Sequence, residues 1–387
     1  MPPLPPLQLE LTRLAESHRA RTLSLLSGAS RSHPTRDGQP LLSFASNDYL
    51  GLASHPLVLD AAREAGTRFG FGAGAARLIT GHLPPHRDLE QVLADLVGLP
   101  SALLFPTGYQ ANLGVLTCLA GPDDLIASDE LNHASIIDGC RLSRARIAIY
   151  RHADAEAARA ALATPGSFRR RFLVSESLFS MDGDQAPLVD LARAAEQAEA
   201  TFMVDEAHAL GVLGPAGRGL CRAAGVIPDV LVGTLGKAFG SLGGFAAGAP
   251  TLRDYLVNRS RPFIFTTGTP APVAAAAHRA VMIALSPEGD QRRHRLQQAI
   301  RSLHAGIQRL SLSRPLPAPG PIVPVVVGSD QAVLDLSQRL AQADLLVPAI
   351  RPPTVPEGSA RLRITLSADH SPEDVARLVA VLTPALR

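Results

Sequence analysis

The sequence predicts an α/β protein: a large domain with a mostly parallel sheet flanked by helices, followed by a smaller C-terminal α+β domain. Three observations carry that reading. Six runs of four or five residues between about 100 and 233 are nearly continuous in apolar character, as strands buried on both faces must be. Ala-rich stretches of helical spacing separate these runs, the rhythm of strand–helix–strand units. Near residue 286 the rhythm stops and a long charged, amphipathic stretch begins.

Residues 1–45 read as an N-terminal segment with a helix. MPPLPPLQLELTRL has no basic region followed by an apolar stretch, so no secretory signal is expected. Leu7, Leu11, Leu14, Leu23 and Leu26 keep helical spacing over 7–27, and Gly28 is placed to end that helix. LLSFASNDYLGL (41–52) reads as a short strand entering a turn.

The large domain, 46–285, contains the six runs: ALLF (102–105), LIAS (125–128), RIAIY (146–150), RFLVS (171–175), TFMVD (201–205) and DVLVG (229–233). The small domain, 286–387, opens on the helix SPEGDQRRHRLQQAIRSLHAGIQRL. The loop PLPAPGPI (315–322) leads to the strand PIVPVVVG. A helix over 331–343, the runs LLVPAI and RLRITL, and a last helix over 371–383 complete it.

Composition excludes several classes of function. Of 387 residues, 46% are apolar and 19% charged, with a net charge of +2, the balance of an ordinary globular protein without a nucleic-acid-tracking face. The cluster Arg169–Arg171 is too short to change that. No run of 18 apolar residues marks a membrane span. Cys118, Cys140 and Cys221 are far apart and form no zinc or redox motif, which suggests a reducing cytoplasm and a cytoplasmic protein. Twelve histidines occur without a ligand motif such as HExxH, so no catalytic metal is expected.

One count stands out. The chain has 36 arginines and a single lysine, Lys237, within GTLGKAFGSLGG (233–244). A GC-rich coding bias would remove lysines without regard to function. Chemistry would keep one where arginine fails, because a guanidinium does not lose its proton near neutral pH, whereas a lysine amine forms a Schiff base. The neighbourhood decides between the two.

In open α/β sheets, ligands bind beyond the carboxyl ends of the strands. After ALLF, PTGYQANLGVL opens a helix at Gly108, whose N–H groups suit a phosphate. After TFMV come Asp205 and His208: a carboxylate for a protonated pyridine nitrogen and an imidazole for a phenolic oxygen. After DVLVG come Thr234, which suits a phosphate, and Lys237 in a glycine-crowded turn. A strand-end Asp, about 30 residues, then a strand-end Lys is what a pyridoxal 5'-phosphate site requires: Lys237 for the imine, Asp205 for the ring nitrogen, a helix start for the phosphate.

The stretches NDYLGL (47–52), GYQANLGVL (108–116), LNHASIIDG (131–139), SESLFSMDGDQAPL (175–188), VDEAHALGVLGPAGRG (204–219) and TLGKAFGSLGG resemble the α-oxoamine synthases, a branch of the fold type I (aspartate aminotransferase-like) pyridoxal phosphate transferases. The resemblance spans about residues 10–385. It implies that His133 stacks on the cofactor ring, that Ser180 and His208 bond its phenolic oxygen, and that Glu176 lies near cofactor and substrate. It assigns the phosphate to Gly108, Tyr109 and Thr234. Thr267, in IFTTGTP (264–270), would reach the phosphate of a partner subunit, which implies a homodimer with a shared active site.

Members of this family condense an amino acid with an acyl thioester and release CO₂. The segment AIRPPTVPEGSARLRITLSADHS (349–371) resembles the branch that uses L-alanine and a pimeloyl thioester to begin the biotin ring system, more than the glycine-using C-acyltransferases. Arg351 is then expected to take the substrate carboxylate as a bidentate fork, with Asn47 assisting. Arg21, with Arg19 as the other candidate, is implied near the acyl substrate. Ala76 and Gly268 stand where the family more often has Ser.

Overall fold

A computed structural model describes residues 7–308 and 315–386. They group into two compact units: one of residues 47–180 and 184–294, the other of the described parts of 1–46, 181–183 and 295–387. The N-terminal segment therefore groups with the C-terminal residues. The unit boundary at 294/295 lies within the helix Pro287–Ile307, nine residues beyond the expected 285/286.

The larger unit holds a seven-stranded sheet in the order Ser101–Phe105, Gly244–Gly248, Val230–Thr234, Thr201–Asp205, Arg171–Glu176, Leu125–Asp129, Arg146–Tyr150. Only Gly244–Gly248 runs antiparallel, against both of its neighbours; the other four pairings are parallel. The six apolar runs all form strands. The seventh strand was illegible, because GFAAG has glycine at both ends and no β-branched residue. Packing makes it a strand: the Phe245 ring is fully buried and fills the space a side chain at Gly233 would need.

Continuous apolar character follows from burial on both faces. Phe172, Val174 and Met203 join one apolar cluster with the helices Gly108–Leu119 and Ala134–Ser143. Leu173, Phe202 and Val204 join another with Ala155–Leu162 and Leu188–Gln197. Truncating a fully buried residue such as Leu173 to Ala costs about 2–5 kcal/mol by the usual cavity arithmetic. At the sheet edge, Leu104 N donates to Glu90 Oε1 at 2.9 Å, and buried Arg77 pairs with the same carboxylate at 2.9 Å.

In the smaller unit, the expected helix over 7–27 is corrected to Leu7–Glu16. His18 takes φ 57°, and the N–H groups of Ser17 and Arg19 close on Arg13 and Leu14 carbonyls, which ends the helix. Beyond it, Leu23 and Leu26 stand exposed, so the helical spacing that reaches them has no apolar face to bury. Leu42–Ser43 pairs in parallel with Leu345–Leu346. Ile322–Gly328, Ala360–Thr365 and Ala349–Ile350 form an antiparallel sheet in that order. LLVPAI thus makes two short strands, split at Val347 and Pro348. The helices Asp330–Gln342 and Pro372–Ala385 follow their N-caps Ser329 and Ser371. No helix among the described residues is long and apolar enough to cross a membrane.

Candidate active site

The parallel register brings Glu176 beside Asp205 at the carboxyl ends of their strands. Asp205 is 5% exposed; Asn112 Nδ2 donates to one oxygen at 2.7 Å and Ala207 N to the other at 2.8 Å. Two donors on separate oxygens fix the plane of the carboxylate. Asn112, fully buried, also donates to Ser135 Oγ at 2.9 Å. Sequence reasoning did not single out Asn112. The available signal was its position four residues after Gly108, a polar side chain beside the buried apolar positions Ala111, Val115 and Leu116.

Glu176 accepts from His133 N at 2.6 Å. Burial, and then the nearby Asp205 charge, push its carboxyl well above the ordinary value. His133 caps the helix Ala134–Ser143, its Nδ1 accepting from Ser135 N at 3.2 Å and bonding Ser135 Oγ at 2.8 Å. Its side chain keeps an open face, yet enough protein surrounds it that burial lowers its pKa; Asp205 opposes this and Lys237 adds to it. Tyr109 meets the His133 ring edge-on, centroids 6.3 Å apart, and its hydroxyl bonds Asp138.

Lys237 sits in the turn after Val230–Thr234. Its Nζ lies 2.8 Å from His208 Nε2, and His208 Nδ1 lies 2.7 Å from the Tyr49 hydroxyl. The turn needs glycine at Gly240, where φ is +57° and a Cβ would fall 2.2 Å from Ala53 N.

Gly108, Thr234 and Gly244 meet without side chains between them. A Cβ on Gly244 would lie 2.4 Å from Gly108 N, and one on Gly108 would touch Thr234 at 3.4 Å. The register explains the meeting, since Gly244 pairs with Phe105 on one side and Thr234 on the other. The twelve-residue helix starting at Gly108, capped by Thr107, directs its N-terminus there. An amine, a fixed carboxylate, an imidazole face and a side-chain-free helix start fit pyridoxal phosphate.

The other expected residues are distributed as follows. Ser180 is buried in the loop after Arg171–Glu176. That loop is held by His152, whose Nδ1 bonds Asp129 at 3.0 Å and whose Nε2 bonds Asp184 at 2.7 Å. Burial works against the charge on His152, but the two carboxylates prevail and raise its pKa to about 10. Thr267 is exposed, and its neighbour Gly268 donates to Ala75 O at 3.0 Å, packing this loop on the 75–82 segment. Asn47 accepts from the Tyr49 hydroxyl at 3.1 Å. In the smaller unit, Arg351 donates to His18 O. Burial and then the charge of Arg21 lower its pKa. Arg19 is engaged by Glu357 at 2.6 Å and Asp330 at 3.2 Å. Among the described residues, no group of three or more His, Cys, Asp or Glu is placed to hold a metal ion.

This is the fold of the fold type I pyridoxal phosphate enzymes. Residues 39–382 match the family described as aminotransferase class I and II, and the chain belongs to that family. Within it, the chain is similar to a Methylococcus capsulatus protein named 8-amino-7-oxononanoate synthase, at 50% identity over 353 residues, 90% of either chain. Among solved structures, a serine palmitoyltransferase from S. paucimobilis with a bound PLP–myriocin adduct superposes with TM-score 0.92 at 30% identity, covering 98% of this chain and 96% of its own. An 8-amino-7-oxononanoate synthase from Francisella tularensis superposes with TM-score 0.77 at 27% identity, covering 89% and 97%.

Proposed function

We propose that this chain is a pyridoxal phosphate-dependent 8-amino-7-oxononanoate synthase, joining L-alanine to a pimeloyl thioester. A bond forms between alanine Cα and the thioester carbonyl, the C–S bond breaks, and the alanine carboxylate leaves as CO₂. The thiol is that of CoA or a carrier protein. The observation that carries the reading is the chain's single lysine, at a strand end and paired with His208 at 2.8 Å.

Bound at this site, pyridoxal phosphate supplies a carbonyl for the substrate amine and a ring that draws electrons from Cα. Lys237 Nζ takes the Cα proton and returns one to the same carbon after CO₂ leaves. Asp205, its plane set by Asn112 and Ala207, keeps the ring nitrogen protonated. His133 would stack on the ring, with Glu176 near it. Ser180 and His208 would bond the phenolic oxygen. Gly108, Tyr109 and Thr234 would hold the phosphate. Arg351 and Asn47 take the alanine carboxylate. Arg21 serves the acyl substrate, a choice supported by the engagement of Arg19 with two carboxylates.

A homodimer belongs to this reading, with Thr267 crossing to the partner's phosphate. Phe71, Ile79 and Phe265 are 81%, 75% and 71% exposed near the Gly268–Ala75 bond in sequence, large apolar side chains of the kind a subunit interface would cover. The unpaired thiols of Cys118, Cys140 and Cys221 suit the cytoplasm.

The test is an absorbance titration with pyridoxal phosphate, then L-alanine, then pimeloyl-CoA, with product mass measured at the end. A yellow band that shifts with L-alanine, and a product of the mass of 8-amino-7-oxononanoate, are expected. Turnover with glycine and acetyl-CoA alone would move the chain to the glycine C-acetyltransferases.

A further inference from the structure

We propose that Tyr49 is a positioning residue: its hydroxyl accepts the Nδ1 proton of His208, which turns Nε2 toward Lys237 as an acceptor. An ammonium has three donors and no acceptor. At 2.8 Å from Lys237 Nζ, His208 Nε2 must therefore present its lone pair. A neutral imidazole then carries its proton on Nδ1. The atom facing Nδ1 is Tyr49 Oη, at 2.7 Å. Tyr49 spends its own proton on Asn47 Oδ1, at 3.1 Å, so its lone pairs are what it offers His208. Every bond in the series runs one way, from Nζ to Asn47.

Burial makes the series matter. Tyr49 is 0% exposed and His208 4%. Without the hydroxyl, the Nδ1–H loses this 2.7 Å acceptor, and losing a buried hydrogen bond is costly. The tautomer that accepts from the ammonium would be penalised, and the ammonium with it. The other charged groups nearby stay in place when Tyr49 becomes Phe. Glu176 and His133 feel the Lys237 charge, and Asp205 acts on both. Asp48 is held by Leu52 N and Ala53 N. The bearing on catalysis rests on the proposed function; the hydrogen-bond series does not.

A chain with one lysine makes the test direct. Full-length protein grown with [13Cε]lysine gives one side-chain signal, whose pH titration reports Lys237 alone. Without cofactor, Tyr49→Phe should lower the titration midpoint by about one pH unit, the range set by one lost buried hydrogen bond. An unchanged midpoint in a folded variant overturns the proposal. The second measurement needs no Tyr49 variant: 15N-histidine spectra of the wild type, with His208 assigned through His208→Gln. They should show the proton on Nδ1, and a proton on Nε2 overturns the proposal even if Tyr49→Phe does not fold. If the midpoint shifts while the wild type forms no pyridoxal phosphate band, the proposed function fails and the role of Tyr49 stands.

Discussion

Replacing His152 with leucine removes an imidazolium clamped between Asp129 and Asp184 and leaves Asp129, whose side chain is 0% exposed, without that partner. The folded pKa is about 10 against the ordinary 6.5, with burial opposed by the two carboxylates. A difference of about 3.5 pH units at 1.36 kcal/mol each bounds the contribution at about 5 kcal/mol. Asp184 is 33% exposed, so water screens that half of the clamp. About 3 kcal/mol is the working figure, at the lower end of what breaking a buried pair costs. A raised folded pKa fixes the direction. The stabilisation is complete below pH 6.5, where the unfolded imidazole is also charged, declines as pH rises from there, and is lost as pH passes through about 10. Urea unfolding of wild type and His152→Leu from pH 6 to 10.5 checks this, because other titrations cancel in the difference. A gap of about 3 kcal/mol near pH 6 should narrow steadily from about pH 6.5 upward and be largely gone by about pH 10. A gap that is the same at both ends would show that His152 acts by packing against Phe179, 4.3 Å from its ring, and not by charge.

Three further outcomes are expected. Lys237→Ala should keep the far-ultraviolet circular dichroism of the wild type, lose the yellow band, and lose turnover by about 10²–10⁴-fold or more, the usual worth of a positioned base; full turnover would refute its role. Asn112→Ala removes the 2.7 Å donor to Asp205, a charge-assisted bond worth about 1.5–3 kcal/mol, so cofactor affinity or turnover should fall about 10- to 100-fold. Gly244→Ala drives a Cβ to 2.4 Å from Gly108 N, so affinity for inorganic phosphate and for pyridoxal phosphate should fall together, as read by calorimetry.

Much of this architecture could be read from the chain. The six apolar runs became strands because burial on both faces writes itself into every position. Asp205 and Lys237 were legible because they follow such runs, and a strand's carboxyl end is where a sheet of this kind exposes backbone and side chains. Gly244–Gly248 was hidden, since its strand character comes from the Phe245 ring fitting over Gly233. The helix expected to reach residue 27 failed for the opposite reason: the spacing was there, but Leu23 and Leu26 stay exposed. Asn112 and Tyr49 lie 93 and 159 residues from the groups they bond, and spacing carries no trace of such meetings.

The bond from Leu104 N to Glu90 bears on how this protein behaves in a crowded solution. Ser101–Phe105 is a terminal strand, and terminal strands invite other chains to extend the sheet. Here an outward amide is already occupied by a buried carboxylate, itself neutralised by Arg77. A visiting strand would have to strip that pair from the strand before it could dock. The ion pair under the rim thus acts as a stopper against runaway association.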